Sequence, residues 1–449
     1  MQEPSNTSAF NSRRLLPFGE FLWLLVQALV KQGVSPCILR NYEGFPYNNV
    51  GNDVDFMIHP AELPLAIRAI RSIEAVRIVG YNEQFHVAMV FIEGIASIPG
   101  IRAFQVDFIR SFTWKGMPYL TTDAVLIAAL THHKDNLTFL TPCAIHEAII
   151  SLLTSLLVSG FVKEKYFPKV QQTFASNREE IISVLVPAFG PKHSTALVDA
   201  AIAGDRQRMA ACISPLRMAL TMSSLIRRPI RSLVAVFRHN LIVLGVRLLP
   251  RTLENVCILS ADSEVKSSTV DMLMPKLPYV APEVNRHNPE TRFQFGSKSR
   301  AMTASVRPPS TSQENSISSM AKTLGWLLDE WLSQFLGRKN LTLRIRENSY
   351  SDLLADPQRF GYTGPIAFAR FIGKLFPSMD LWILLDTGPE SPSEEAHSRP
   401  AAYRSLVRAK QNHIILDASQ PAEQLSERAY AVIIDALSQR ANKRLKACY

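Results

Sequence analysis

Cysteine is scarce in this chain, and no two cysteines are close in sequence. The 449 residues include five cysteines, which lie far apart and form no Cys-x-x-Cys pair. This spacing argues against a disulfide framework and against a structural zinc site. The apolar run at residues 21–30 is too short to span a bilayer, and no signal peptide is evident. The sequence therefore predicts a cytoplasmic protein.

Acidic residues are missing from one stretch. Residues 215–252 contain seven arginines and no Asp or Glu, so they carry most of the net charge of +10. Apolar runs alternate with these arginines, a basic amphipathic pattern that can lie on anionic lipid or on an acidic polymer. A linker helix with solvated arginines explains the same composition. A specific nucleic-acid partner is not expected, because no RNA-binding signature accompanies the arginines.

Apolar periodicity divides the chain into four segments. Residues 15–120 mix strand and helix patterns, residues 121–214 are helical, residues 215–252 form a basic amphipathic linker, and residues 253–449 alternate strand and helix. Within the last segment, residues 279–318 are polar and contain proline, which predicts a mobile loop. The predicted fold class is α/β plus α+β: a mixed sheet with a helical appendage, then a parallel sheet covered by helices.

Three aspartates in the first segment form the clearest candidate catalytic group. Asp53 and Asp55 lie two residues apart in a predicted strand, so their side chains point to the same side. Asp107 lies in a later predicted strand. Three such carboxylates can hold one or two Mg²⁺ ions that bridge triphosphate oxygens and activate a hydroxyl. Positions in surface turns and at a strand end are the alternative, because Asp-x-Asp alone is common.

The sequence Gly-Asn-Asp-Val-Asp at residues 51–55, followed by Asp107, resembles the metal site of the nucleotidyltransferase superfamily. The resemblance implies that the first two aspartates are metal ligands and that Asp107 is a ligand or a base. It also implies Mg²⁺ and a nucleoside triphosphate as cofactors. In place of the family's phosphate-binding Gly-Ser pair the chain has Arg40 and Asn41. These two side chains are the candidates for holding the phosphates.

Three blocks in the last segment follow one another in an order that resembles the C-terminal half of thymidylate-kinase-like P-loop proteins. They are residues 350–365, residues 380–386 and residues 415–417. The resemblance implies a P-loop kinase-like sheet covered by helices. Together the two halves resemble bacterial two-part proteins, some of which are associated with surface-polysaccharide synthesis.

Glycine is missing where a phosphate loop should follow the first strand of that last segment. Lys266 and Ser267 occupy the lysine and hydroxyl positions of such a loop. In a working loop the lysine binds the outer phosphates of ATP and the hydroxyl binds Mg²⁺. Ser260 and Val265 replace its two glycines. A β-branched valine resists the positive φ that an inward-turned amide cradle requires. We therefore expect tight ATP binding to be lost, as in a pseudokinase.

These patterns lead to three functional expectations. The first is a magnesium-dependent nucleotidyltransferase- or phosphotransferase-like protein whose kinase-like half senses nucleotide or serves as a partner platform. The second is an ATP-dependent nucleoside-monophosphate kinase-like enzyme that uses Lys266 and Ser267. The third is a non-catalytic, nucleotide-sensing scaffold that docks through the arginine segment on an anionic membrane or on polysaccharide-synthesis proteins. The third would place the protein at the inner face of the membrane.

Overall fold

The chain forms a mixed sheet followed by a parallel sheet. The structure, a computed structural model, describes residues 15–47, 53–84, 86–98, 100–134, 136–162, 164–248, 255–287, 315–337, 342–347, 349–388 and 394–448. They fall into two compact units, Met1–Leu244 with Arg444–Tyr449, and Gly245–Lys443. A curled mixed sheet lies in the first unit and a five-stranded parallel sheet with helices in the second. At this level the predicted fold class is confirmed.

The first unit begins with strands and helices in alternation and ends with helices. Its strands are β1 (Leu16–Pro17), β2 (Cys37–Ile38), β3 (Asp53–Met57), β4 (Arg77–Glu83), β5 (Val87–Ile98), β6 (Ile101–Ile109), β7 (Phe112–Trp114), β8 (Met117–Leu120), β9 (Leu130–Lys134) and β10 (Leu137–Thr141). Its helices are α1 (Phe18–Lys31), α2 (Leu63–Arg71), α3 (Thr122–Ile127), α4 (Ala144–Thr154), α5 (Phe167–Ser176), α6 (Arg178–Ile202), α7 (Arg206–Arg227) and α8 (Pro229–Leu248).

The large sheet of this unit has the strand order β1-β5-β6-β3-β2-β10-β9, with β4 also paired to β5. Alternate residues of β3 and β6 are fully buried, including Phe56 and Phe108, whose rings stack. On α1, Phe18 and Phe21 pack against Phe104 of β6, with ring centroids 4.8 and 6.0 Å away. Because side chains alternate along a strand, the residues between these aromatics point to the opposite face of the sheet.

The predicted run of helix over residues 121–214 begins with α3 but is then interrupted. Strands β9 and β10 form an antiparallel hairpin there, and Asn136 at its turn has a φ of 61°. Asparagine tolerates this left-handed conformation better than most residues, which lets the chain reverse direction. The rest of the segment is helical, as predicted.

The arginine-rich stretch is not a linker that stands apart from the helical appendage. Its predicted start falls inside α7, whose Leu216 and Leu220 are fully buried in the core of the first unit. Val236 of α8 packs against the same core. Residues 249–252 lie outside the described residues. By length and composition alone α6 and α7 could each cross a bilayer, yet both contribute buried side chains to this core.

The second unit is built on five parallel strands. They are β11 (Asn255–Ser260), β12 (Glu283–His287), β13 (Thr342–Arg346), β14 (Leu381–Asp386) and β15 (His413–Asp417), in the order β12-β13-β11-β14-β15. The helices are α9 (Ser263–Leu273), α10 (Ser316–Gly337), α11 (Tyr350–Ala355), α12 (Ile366–Leu375), α13 (Glu394–Arg408) and α14 (Ala422–Cys448). This arrangement is consistent with a Rossmann-like or P-loop-like domain.

The predicted loop at residues 279–318 needs correction at both ends. Strand β12 lies inside it and pairs with β13 from Glu283 to His287, and α10 already begins at Ser316. Residues 288–314 lie outside the described residues. The strand pattern of β12 was missed because its residues are polar. They can be polar because the strand lies at the edge of its sheet and none of its five residues is fully buried.

Candidate functional site

Two of the three predicted aspartates are direct neighbours across parallel strands. The register of β3 with β6 pairs Asp53 with Gln105 and Asp55 with Asp107. Because residues two apart on a strand share a face, all four side chains lie on one face of the sheet. This is the face opposite to the aromatic core formed with α1. Gly51 and Asn52, which open the predicted motif, lie outside the described residues.

The electrostatics of Asp107 reflect this crowding of negative charge. Burial raises the pKa of its carboxyl group, and repulsion from Asp55 and Asp53 raises it further, to about 7. A hydrogen bond of 2.8 Å from Gln105 Nε2 to Asp107 Oδ1 acts in the opposite direction but does not outweigh them. A carboxyl group with this pKa exchanges its proton near neutral pH, as a general base requires.

Arg40 lies beside Asp55. The pairing of β2 with β3 continues one residue further, since Leu39 N donates to Asp55 O at 3.0 Å, and this brings the next side chain to the aspartate. Arg40 Nε donates to Asp55 Oδ2 at 2.8 Å, and Nη2 contacts the same oxygen. The guanidinium also lies 5.3 Å from the centre of the Tyr166 ring. The other predicted phosphate contact, Asn41, follows in a left-handed turn with a φ of 58°.

A second polar group, which sequence reasoning missed, surrounds Glu147 of α4. This buried carboxylate accepts hydrogen bonds from Lys169 Nζ at 2.6 Å and from Tyr42 OH at 3.0 Å. Burial and the charge of Glu147 raise the pKa of Tyr42 to about 12. No local pattern signals this group, because its members are far apart in sequence. Gln105, in contrast, could have been found from its two-residue spacing to Asp107.

The three aspartates supply the donor chemistry that a hard cation prefers. Mg²⁺ binds carboxylate oxygens, and the pKa of Asp107 is raised by burial and, to a smaller extent, by the negative charges of Asp55 and Asp53, which Arg40 offsets in part. In the conformation described, Asp55 is engaged by Arg40, and no group of three or more His, Cys, Asp or Glu side chains among the described residues is arranged to hold a metal ion. Metal binding by Asp53, Asp55 and Asp107 therefore stays a prediction that their chemistry fits.

In the second unit the candidate phosphate loop is a tight turn. Strand β11 ends at Ser260 and α9 begins at Ser263, so only two residues connect them. Asp262 Oδ1 accepts hydrogen bonds from the backbone amides of Glu264 at 2.8 Å and Val265 at 3.3 Å. A helix N-terminus of this kind can bind an anion, but here a side-chain carboxylate already occupies the amides. Val265 lies inside the helix.

The two remaining loop residues, Lys266 and Ser267, face internal partners. Lys266 is 3% exposed, and its Nζ contacts the carbonyl oxygen of Glu347 at 2.7 Å and Asp352 Oδ1 at 3.2 Å. Ser267 Oγ lies 3.3 Å from Nη2 of Arg286, which also pairs with the Glu347 carboxylate at 2.6 Å. The lysine and hydroxyl predicted for phosphate binding therefore belong to an internal network.

Residues of the kinase-resembling blocks extend this network. Fully buried Asp352 accepts hydrogen bonds from Ser349 N at 2.9 Å and from Tyr403 OH at 3.2 Å. At the end of β14, Asp386 is held by two bonds from Arg404, at 2.6 and 3.0 Å. These contacts satisfy charged groups at the carboxyl edge of the sheet, where open α/β sheets bind their ligands.

The two clusters thus differ in what they can do chemically. The three aspartates of the first unit can take up a cation and a proton, whereas Lys266, Arg286 and Arg404 of the second unit are each paired with a carboxylate of that unit. No family model matches the sequence, and a search of curated proteins finds no significant match.

Proposed function

We propose that the chain is a magnesium-dependent nucleotidyltransferase- or phosphotransferase-like protein whose reactive site is the carboxylate face of the first unit. One observation carries the proposal: the strand register sets Asp55 directly opposite Asp107, with Asp53 two residues away on the same face. Among the described residues Arg40 is the cation that acts on these three carboxylates, which leaves an excess of negative charge. A cofactor that brings a divalent cation would balance it.

The side chains have separate roles in this proposal. Asp53 and Asp55 would hold Mg²⁺, which when bound would offset the negative charge of a triphosphate and make an attacking hydroxyl more acidic. Asp107, with a pKa of about 7, accepts the proton of that hydroxyl. Arg40 lies within reach of the same carboxylates and carries the positive charge that anionic phosphate oxygens prefer. Tyr166, under the guanidinium, restricts its orientation.

For the second unit we propose a P-loop kinase-like fold that no longer binds the phosphates of ATP. The strand order is compatible, because the first strand, β11, lies between β13 and β14, so that chain connections diverge on either side of it. Ligands of open α/β sheets bind at such a point. Here Asp262 caps the helix and Lys266 is bound to Asp352, which favours a structural or partner-binding role for this unit.

Ligand-induced stabilisation tests the proposed site. Magnesium with a nucleoside triphosphate should raise the melting temperature of the wild type, since a ligand at about a hundredfold excess over its Kd stabilises by about 2.7 kcal/mol. Asp53→Asn and Asp55→Asn should abolish this response, because each removes a charged ligand at nearly constant volume. The measurement is a thermal-shift titration with each nucleotide, with and without Mg²⁺.

Glu74→Gln is the matched control, because it removes an exposed carboxylate outside the site and should respond like the wild type. The same response in Asp53→Asn, Asp55→Asn and the wild type would contradict the proposal. Loss of the response in Lys266→Ala together with its retention in Asp53→Asn would instead assign nucleotide binding to the kinase-like unit.

A further inference from the structure

An exposed apolar stripe runs along helix α8. Six large apolar side chains recur at spacings of three and four residues and are between 48% and 76% exposed: Ile230, Leu233, Val234, Phe237, Leu241 and Leu244. We call them the outer face of α8. With a rise of about 1.5 Å per residue the stripe is about 21 Å long. A contiguous exposed apolar surface of this kind marks an interaction site.

The opposite side of the same helix fixes its orientation. Ser232 Oγ donates to Ser224 O at 2.8 Å, and Val236 packs against the core of the first unit. Ala235 lies against Gly116, where an added Cβ would come within 3.0 Å of the Ala235 carbonyl oxygen. Because this side is packed and hydrogen-bonded, α8 cannot turn its apolar stripe inward without breaking these contacts.

The ionised side chains that α7 and α8 themselves carry are all of one sign. Helices α7 and α8 contain no Asp or Glu. Exposed Arg227, Arg228 and Arg231 lie at the start of the stripe. Apolar side chains flanked by arginines are the pattern of a helix that lies in the interface of an anionic bilayer, with its apolar residues among the acyl chains and its cations at the head groups.

We propose that the outer face of α8 docks the protein on an anionic phospholipid surface, as a helix lying parallel to the membrane plane. The one-sided charge favours lipid over a second copy of the chain, because α7 and α8 of a second copy would bring no acidic side chain to neutralise these arginines. This inference is independent of the carboxylate site and goes beyond the proposed function.

Vesicle sedimentation with the full chain tests the proposal. Binding is expected to vesicles of phosphatidylserine mixed with phosphatidylcholine and not to phosphatidylcholine alone, and salt should weaken it. The triple change Arg227→Gln, Arg228→Gln and Arg231→Gln should lower the partition coefficient about a hundredfold, since each basic residue near such a surface contributes about fivefold.

A charge-matched control removes three exposed cations elsewhere in the first unit, Lys31→Gln, Arg68→Gln and Lys134→Gln, and should bind like the wild type. Phe237→Trp adds a depth probe, whose emission should shift to the blue and be quenched by brominated acyl chains. No binding at low salt, or equal losses in both triple variants, would overturn the proposal. So would a dimer in light scattering that Phe237→Ser dissociates, because that result would assign the face to a second copy.

Discussion

The carboxylate face of the first unit and the Lys266 network of the second unit are both clusters of charge, but only one of them is balanced. Around Lys266 each charge has a partner: Lys266 with Asp352, and Arg286 with Glu347. On the carboxylate face, Arg40 pairs with Asp55. Burial and the neighbouring aspartates raise the pKa of Asp107 to about 7. Charges that are paired within the protein need no counter-ion from outside, whereas unpaired charges favour the binding of a ligand of opposite charge.

The same contrast extends to a second buried pair in the second unit. Arg346 is 2% exposed and contacts Glu330 at 2.5 Å, and it also donates to Asn255 Oδ1. Burial alone would raise the pKa of Glu330, but its hydrogen bonds and the charges of His287 and Arg346 lower it to about 2. Cationic side chains of the same unit therefore neutralise this buried carboxylate.

The largest expected effect comes from removing Lys266. Lys266→Ala leaves the carboxylate of Asp352 buried with no cation beside it, and breaking a buried ion pair in this way costs about 3–5 kcal/mol. Denaturant unfolding should show this loss of stability in the unit that contains the variant. Lys374→Ala, in the exposed last turn of α12, should change stability by less than about 0.5 kcal/mol.

The carboxylate face and the Lys266 network would not differ in this way if Lys266 binds phosphate. In that case Lys266→Ala would change stability little, while the thermal response to ATP would disappear. Removal of Asp352 is a second check, because Asp352→Asn should destabilise the protein as Lys266→Ala does if the two residues form one structural pair.

Asp107→Asn should have the next largest effect on stability. Unlike Lys266→Ala, it should make the protein more stable at pH 8. The unfolded chain releases this proton near pH 3.8 and the folded chain near pH 7, so between these values the folded state binds the extra proton. The contribution of Asp107 to stability is therefore present below about pH 4 and is lost as the pH rises through 7. The gap corresponds to up to about 4 kcal/mol.

Melting temperatures measured across this pH range provide the check. Asp107→Asn should be more stable than the wild type at pH 8 and should lose this advantage at pH 4, and added Mg²⁺ should narrow the difference at pH 8. Equal pH profiles for the two proteins would mean that folding does not raise the pKa of Asp107, and the description of the carboxylate face as unbalanced would then be wrong.

Much of the fold could be predicted from sequence, because its signals are local. Alternation identified β3 and β6, and three-four spacing identified α1 and most of the helical appendage. The β9–β10 hairpin was missed, since its first strand, Leu-Thr-His-His-Lys, is polar and half-exposed and has no apolar alternation. Asn136 in its turn was the one available signal.

The candidate site could be predicted only where spacing was enough. Asp53 and Asp55 share a face by local geometry, but the position of Asp107 opposite Asp55 depends on strand register, which no short motif encodes. The partners of Lys266 were out of reach for the same reason: Asp352 lies 86 residues further along the chain. Asp262 as a helix cap was recognisable in principle, since aspartate before a helix is a strong N-terminal signal.

A smaller effect is expected from Asp262→Ala. The variant removes the side-chain acceptor from the first turn of α9 and should cost about 1 kcal/mol. Asp205→Ala is the matched control, because Asp205 caps α7 in the same way, accepting from Arg208 N at 2.9 Å. If the carboxylate of Asp262 is what closes the anion site, sulfate should stabilise Asp262→Ala more than Asp205→Ala in a thermal scan.

The smallest effect is expected at Arg404, which pairs with Asp386 at the end of β14. Its two bonds to Asp386 lie on a half-exposed surface, where an ion pair contributes about 0.2–1 kcal/mol. Arg404→Lys keeps the charge but cannot reproduce both bonds, so stability should fall by about 0.5 kcal/mol with no change in the response to ATP. Arg408→Lys, on an exposed position of the same helix, is the control. If the thermal shift with ATP is lost in Arg404→Lys and kept in Arg408→Lys, the carboxyl edge of the second sheet still binds phosphate. The contrast between an open first site and a closed second one would then no longer hold.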